Sequence, residues 1–211
     1  MKVTLIDYGA GNLPSVERAL LRLGVPTERA DTANGLAAAS AVILPGVGHY
    51  GALIRALDEN GLRDALLASI QRGVAFLGIC LGLQALYETS EEAPELRGLK
   101  LFPGSVRMLA GAVKLPHMGW NQVRRVPGGS RLLEGIEDGA FFYFAHSFAA
   151  IHQSGGHPNG VLATEIRATC EYGAEFVAVA EKGNVLAVQF HPEKSGEAGQ
   201  SVLRNFVRLA A

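Results

Sequence analysis

The apolar run Val74-Ala75-Phe76-Leu77-Gly78-Ile79 leads without a break into Cys80 and then into Leu81 to Glu88, a stretch predicted to be helical. A short run of this kind, with no polar alternation, reads as a strand covered on both faces. The same rhythm precedes it. Val3 to Asp7 reads as a buried first strand, and Val16, Ala19, Leu20 and Leu23 recur at helical spacing over Leu13 to Leu23, where Gly24 stops the helix. Asn12 stands where it can cap that helix, and Pro14 fits its first turn. A short strand is expected near Thr27 to Ala30 and a buried one over Ala41-Val42-Ile43-Leu44, with helices around Tyr50 to Leu57 and Leu62 to Ile70. Strands alternating with helices in this way predict an α/β fold, a central, mostly parallel sheet with helices on both faces.

From about Leu99 the texture changes to short strand-like pieces rich in glycine and proline, over Val106 to Leu109, Asn121 to Val126 and Phe141 to Phe144. Val177 to Glu181 and Val185 to Gln189 flank Lys182-Gly183-Asn184, a hairpin signal, and a last helix is expected over Ser201 to Leu209. This C-terminal half reads as an antiparallel extension of the sheet. No internal repeat or linker interrupts residues 1–211, so one domain is expected.

Composition narrows the function classes. With 48% hydrophobic and 18% charged residues, the chain can bury a substantial core. A net charge of −1, with arginines scattered among acidic residues, argues against a nucleic-acid partner. No long apolar segment follows Met1, so neither a signal peptide nor a membrane span is expected. Cys80 and Cys170 are the only cysteines, which points to a reducing, cytoplasmic setting rather than a disulfide framework.

Gly78-Ile79-Cys80-Leu81-Gly82 places a cysteine where an apolar strand meets a helix. That is the layout of a nucleophile elbow, in which a strained turn pushes the side chain out of the sheet and flanking glycines remove clashes. The helix N-terminus beyond it would favour thiolate over thiol. A small cysteine packed in the core is the plainer alternative. Cys170, in Ala168-Thr169-Cys170-Glu171-Tyr172, lacks glycines and a strand-to-helix switch, and packing is its expected role.

A thiol nucleophile needs a base, and the base needs a group that fixes its tautomer. Gln189-Phe190-His191-Pro192-Glu193 offers both just past a strand, with Pro192 stiffening the link. Alone, a histidine at a strand end is more often structural; beside the Cys80 elbow it becomes a candidate base. His49, His117, His146, His152 and His157 show no zinc-like spacing, so no metal is expected. Pro45-Gly46-Val47-Gly48 ends a parallel strand, and its backbone could offer an N–H beside that of Leu81 to an oxyanion; a plain turn is the alternative.

Three segments together, Leu44-Pro45-Gly46-Val47-Gly48, Gly78-Ile79-Cys80-Leu81-Gly82-Leu83-Gln84 and Gln189-Phe190-His191-Pro192-Glu193, resemble the class-I, triad glutamine amidotransferases in content, order and separation. Within that class the chain looks most like the glutaminase subunits of imidazole glycerol phosphate synthase. The narrower likeness is carried by Asp7-Tyr8-Gly9-Ala10-Gly11-Asn12, Gly46-Val47-Gly48-His49-Tyr50-Gly51, Leu115-Pro116-His117-Met118-Gly119-Trp120-Asn121, Tyr143-Phe144-Ala145-His146-Ser147-Phe148 and His191-Pro192-Glu193-Lys194-Ser195. It covers essentially the whole chain.

The resemblance implies a flavodoxin-like fold and a role for each matching position. Cys80 would be the nucleophile, His191 the acid/base and Glu193 its orienter. Val47 and Gly48 would form a mobile oxyanion strand, with Leu81 completing the oxyanion hole. Gln84, Glu92, Ser147 and Phe148 would hold glutamine, Glu92 through the α-amino group. Asn12, Trp120, Asn121, Tyr143 and Lys194 would face a (βα)8-barrel cyclase in a heterodimer that receives the ammonia for histidine biosynthesis. No cofactor is implied. Phe148 stands where many relatives have tyrosine, which excludes a hydroxyl there, and the polar stretch 153–160 is longer than the family's usual loop. Other readings are a glutaminase of an anthranilate, aminodeoxychorismate or pyridoxal-phosphate synthase, a thiol hydrolase on the same sheet, or a catalytically silent subunit. The Pro116-His117-Met118-Gly119-Trp120-Asn121 stretch weighs against the sibling synthases, Gln84 and Glu92 against the thiol hydrolase, and the intact Cys80, His191 and Glu193 against a silent subunit.

Overall fold

Strands with no polar alternation recur through the first half of the chain, and each is buried at every position. The structure, a computed structural model, describes residues 1–151 and 165–211. The first half runs β1 (Val3–Ile6), α1 (Leu13–Arg22), β2 (Thr27–Ala30), α2 (Ala33–Ala37), β3 (Ala41–Gly46), α3 (Tyr50–Glu59), α4 (Leu62–Gln71), β4 (Ala75–Cys80) and α5 (Leu81–Gln84). Every residue of β1, β3 and β4 is buried.

Although these strands are apolar throughout, their side chains alternate between two cores because the strand period is two. Leu5, Ile43 and Leu77 face α1, where Val16 and Leu20 pack. Ile6, Val42 and Phe76 face α3 and α4, against Leu53, Leu57 and Leu66. The helices thus lie on both faces, as the strand–helix rhythm predicts.

The second half contributes β5 (Thr89–Ser90), β6 (Ser105–Met108), β7 (His117–Gln122), β8 (Arg124–Arg125), β9 (Phe141–His146), β10 (Phe148–Ala150), β11 (Ile166–Tyr172), β12 (Ala174–Lys182), β13 (Val185–Val188), a 3-10 turn at Pro192–Lys194, and α6 (Gly196–Ala210). The main sheet has eight strands in the order β2-β1-β3-β4-β13-β12-β11-β8. β13 joins β4 in parallel, Val188 beside Ile79, while β12 returns antiparallel to β13 through the expected Gly183-Asn184 turn. This insertion of a late strand beside the central one positions the site.

Five expectations change with the structure, the first being that the last helix begins at Gly196 rather than Ser201. The helix after Cys80 ends at Gln84 rather than Glu88, because the Glu88 N–H bonds the Gly104 carbonyl instead of continuing the ladder, and the 98–102 segment occupies carbonyls beyond Gln84. Leu99 N–H donates to Ala85 C=O, and Leu101 and Phe102 N–H both donate to Leu86 C=O. The antiparallel extension is only partly an extension: β10-β6-β5 and β7-β9 form two smaller sheets of their own. Asn121 to Val126 is accordingly not one strand. It breaks at Val123, whose N–H bonds Ala140 C=O, before β8 pairs with β11. Asn12 occupies the N-cap position of α1 but makes no side-chain capping bond. His152, His157 and the polar stretch 153–160 lie outside the described residues.

Candidate active site

Cys80 is the hinge between β4 and α5, and its backbone is strained at φ 54° and ψ −105°. A non-glycine residue at positive φ persists only where its surroundings impose it. Here they do so by close packing. A Cβ on Gly82 would stand 2.0 Å from the Leu44 carbonyl oxygen, and one on Gly78 would stand 2.6 Å from the Gly82 carbonyl oxygen. The elbow therefore needs glycine on both sides. With α5 only four residues long, the charge at its N-terminus comes from first-turn N–H groups rather than from an extended helix dipole.

β13 ends beside β4, so the chain beyond it reaches the same sheet edge as Cys80. The His191 N–H donates to the Tyr143 carbonyl at 2.9 Å, which anchors the turn to β9. Ser195 Oγ donates to the His191 carbonyl at 2.6 Å and accepts from the Tyr143 N–H at 2.9 Å, closing a ring around the histidine backbone. His191 Nδ1 and Glu193 Oε1 are 2.9 Å apart, so the carboxylate holds the Nδ1–H tautomer and leaves the other ring nitrogen for the thiol. Burial pulls the imidazole pKa down, but the charge on Cys80 and hydrogen bonds to Cys80 and Glu193 outweigh it and raise it to about 10. A cysteine and a histidine this close share a proton readily.

Val47, Gly48, Leu81, Gln84, Glu92, Ser147 and Phe148 all border one pocket with Cys80, an opening of about 350 Å³ including its mouth. His146 and Ala145 complete the lining. Within it, Glu92 Oε2 accepts the Tyr50 N–H at 2.7 Å and so caps α3. Gln84 Nε2 is spent on the Phe148 carbonyl at 2.7 Å. The Val47 N–H donates to the Tyr8 hydroxyl, so in this arrangement it is not offered to the pocket.

Tyr8 and Gln189 have no role in the sequence reading, yet the structure brings both to the site. Gln189 Nε2 lies 3.5 Å from Cys80 Sγ. Gln189 stands two positions before His191 in Gln189-Phe190-His191-Pro192-Glu193, a usable signal; Tyr8 carries none beyond its place in the first loop. Cys170 lies buried in β11, and burial pushes its thiol up to about 12, in keeping with packing. His49 Nδ1 accepts the Gly51 N–H at the start of α3, a capping role.

Of the residues expected to face a partner, Trp120, Asn121 and Tyr143 lie on the β7–β9 ribbon, Lys194 in the 3-10 turn and Asn12 before α1. Trp120 and Tyr143 pair across the ribbon with ring centroids 6.2 Å apart, and Lys194 Nζ stands 5.8 Å over the Tyr143 ring. Trp120 is 54% exposed, Met118 65% and Phe141 54%, so the ribbon presents an apolar outer face. Asn121 Nδ2 donates to the Glu171 carbonyl at 3.0 Å. Asn12 stands at the start of α1, which packs against the Pro192–Lys194 turn.

Known proteins resemble this chain in sequence and in fold. Residues 4–210 match the family Glutamine amidotransferase class-I. The chain is 46% identical over 207 residues to the imidazole glycerol phosphate synthase subunit HisH of Moorella thermoacetica, covering 98% of this chain and 94% of that protein. It is also 46% identical over 207 residues to the HisH subunit of Methanothermobacter thermautotrophicus, with 98% of each chain covered. The imidazole glycerol phosphate synthase hisHF of Arabidopsis thaliana is 42% identical over 207 residues, which span 97% of this chain and 34% of that protein. Among solved structures, a glutamine amidotransferase superposes with a TM-score of 0.75 at 22% identity, over 100% of this chain and 99% of its own, a likeness of fold. The chain belongs to the class-I glutamine amidotransferases, and among them to the HisH family.

Proposed function

We propose that this chain is the glutaminase subunit of an imidazole glycerol phosphate synthase, releasing ammonia from glutamine for a cyclase subunit in histidine biosynthesis. The observation that carries the reading is the convergence of Cys80, His191 and Glu193 beside a small polar pocket at one sheet edge. Relatives named for this synthase along the whole chain favour it over the anthranilate, aminodeoxychorismate and pyridoxal-phosphate alternatives.

In the proposed reaction the Cys80 sulfur attacks the side-chain amide carbon of glutamine, and its proton passes to His191. The carbonyl oxygen becomes an oxyanion facing Leu81 and the Val47-Gly48 strand. His191 then protonates the departing nitrogen, ammonia leaves, and a thioester remains on Cys80. Water, deprotonated by His191, attacks the thioester; glutamate departs and the thiol is restored. Glu193 steadies the imidazolium in both halves. Glu92 and the Ser147-Phe148 backbone border the end of the pocket suited to the α-amino and carboxylate groups, and Gln84 shapes that end.

The partner is proposed to be a (βα)8-barrel cyclase that turns the ammonia and a phosphoribulosyl formimino aminoimidazole carboxamide ribonucleotide into imidazole glycerol phosphate and aminoimidazole carboxamide ribonucleotide. The exposed Met118, Trp120 and Phe141, with Tyr143, Lys194, Asn121 and Asn12, form the surface proposed to meet it as a heterodimer. That the chain aligns with only 34% of the longer Arabidopsis synthase supports its being one part of a larger enzyme. A cytoplasmic location is proposed as well; among the described residues no helix is long and apolar enough to cross a membrane.

The test is glutamate release by wild type and Cys80→Ala, each alone and with the cyclase subunit. Release by wild type with the cyclase and none by the variant is expected. Retained activity in the variant would remove Cys80 as nucleophile.

A further inference from the structure

The Gln189 side chain is fully buried, and its Nε2 points at the Cys80 sulfur from 3.5 Å. Which end of an amide faces a neighbour has to be argued from its partners, and here they determine it. The Phe148 carbonyl can only accept, and it lies 2.7 Å from Gln84 Nε2, so Gln84 turns its NH₂ group to that side. The second N–H of Gln84 reaches Gln189 Oε1 at 3.3 Å. With its oxygen committed there, Gln189 has only its NH₂ group left for the sulfur.

The carbonyl at the head of this chain is itself fixed. His146 Nδ1 is 2.9 Å from it and must donate, so His146 Nε2 accepts from His117 Nδ1 at 3.3 Å. His117 Nε2 in turn accepts from the Asn121 amide at 3.3 Å. Burial lowers the pKa of His117 to about 4 and, with the neighbouring His117, that of His146 to about 3, so both rings are neutral and each has one donor and one acceptor nitrogen. Every hydrogen bond from Asn121 to Cys80 thus has a single consistent direction.

We infer that Gln189 is a positioning residue for the nucleophile, its N–H, oriented by Gln84 and the Phe148 carbonyl, stabilising the Cys80 thiolate and aiming it at the pocket. The inference rests on the reading of Cys80 as nucleophile. Its physical basis is that a buried N–H donor favours a charged sulfur over a neutral thiol, which accepts only weakly. A purely packing role would be met equally by methionine, which matches glutamine in length and shape but donates nothing.

The measurement is the pH dependence of iodoacetamide alkylation of the intact chain, with peptide mass spectrometry separating Cys80 from Cys170. In Gln189→Met the alkylation midpoint of Cys80 rises, and at pH values below it alkylation slows about tenfold, as expected for loss of one hydrogen bond to a charged group. Gln84→Met, which frees the Gln189 amide to turn, shifts the midpoint in the same direction by less. A Gln189→Met protein with native circular dichroism and an unmoved midpoint overturns the inference. Should that variant not fold, an unmoved midpoint in Gln84→Met overturns it. Alkylation needs no turnover, so a wild type that releases no glutamate would refute the proposed activity without altering this outcome.

Discussion

The Tyr8 hydroxyl is bonded to both backbone polar groups of Val47, accepting from its N–H and donating to its carbonyl, each at 3.2 Å. Burial is the main reason the phenol stays protonated, its pKa pushed up to about 12, so it has one proton to give and one acceptor role to fill. Both are used on Val47. While they are, Val47 cannot donate to an oxyanion. Tyr8→Phe should therefore raise the partner-free turnover of glutamine, by up to about a hundredfold if the freed N–H turns to the pocket. The KM should change little, and thermal stability should fall. A steady-state glutaminase assay without the cyclase checks this. A variant that is less stable and no faster would mean that Tyr8 only braces the loop.

The buried histidines predict acid sensitivity. His146 has a native pKa of about 3 and His117 of about 4, both far below the unfolded value of about 6.5. Below that value the unfolded chain binds protons that the native protein does not, so stability is full above about pH 6.5 and declines as pH falls toward the native values. His146 alone should contribute a slope of about 1.4 kcal/mol per pH unit in that window. His191 acts oppositely: with its pKa raised to about 10, its stabilising contribution is complete below the unfolded value and disappears as pH climbs through that figure. Denaturant melts of wild type and His146→Asn between pH 7 and pH 5 provide the check. The variant's slope should be shallower by about one proton's worth, and identical slopes would exclude His146 as the source.

On the outer face of the β7–β9 ribbon, Trp120 is 54% exposed and pairs with Tyr143. An exposed tryptophan on an apolar ribbon fits the anchor of an interface more than a core residue. Trp120→Ala should leave the melting temperature of the isolated chain nearly unchanged. It should weaken the complex with the cyclase by about 2 kcal/mol, some thirtyfold in Kd. Titration calorimetry reads both the loss and its absence, and an unchanged Kd would place the interface elsewhere.

Two glycines near the same sheet should respond very differently to alanine. At Gly82 the added methyl meets the Leu44 carbonyl at 2.0 Å, a backbone contact that cannot yield without moving β3 or α5. Gly82→Ala should cost about 3 kcal/mol or more and displace Cys80, abolishing glutaminase activity. Gly24, at φ 73° with nothing within 4 Å of its added methyl, carries only the backbone penalty. Gly24→Ala should cost about 1 kcal/mol with activity retained. Chemical denaturation of the two variants should show this ranking, and equal losses would undo the steric account of the elbow.

Most of the main-sheet architecture was legible in the residues because the signals that specify it are local. Apolar runs, glycine stops and helical spacing act over a few positions, and they locate β1, α1, β3, α3, α4 and β4 to within a residue or two. The Cys80 elbow and the His191-Pro192-Glu193 pairing are likewise short-range, so both are legible in the sequence. What the tertiary structure alone decided was adjacency. Only the insertion of β13 beside β4 brings Gln189 to a sulfur 109 positions away in sequence, and only loop packing sets Tyr8 against Val47, 39 positions on. The helix after Cys80 is shorter than its residues predict for the same reason: Leu81 to Glu88 has helical propensity, but the Glu88 N–H bonds the distant Gly104 carbonyl rather than that of Gln84. A backbone group bonds whichever partner the whole fold delivers, and no local pattern encodes a partner contributed by a remote segment.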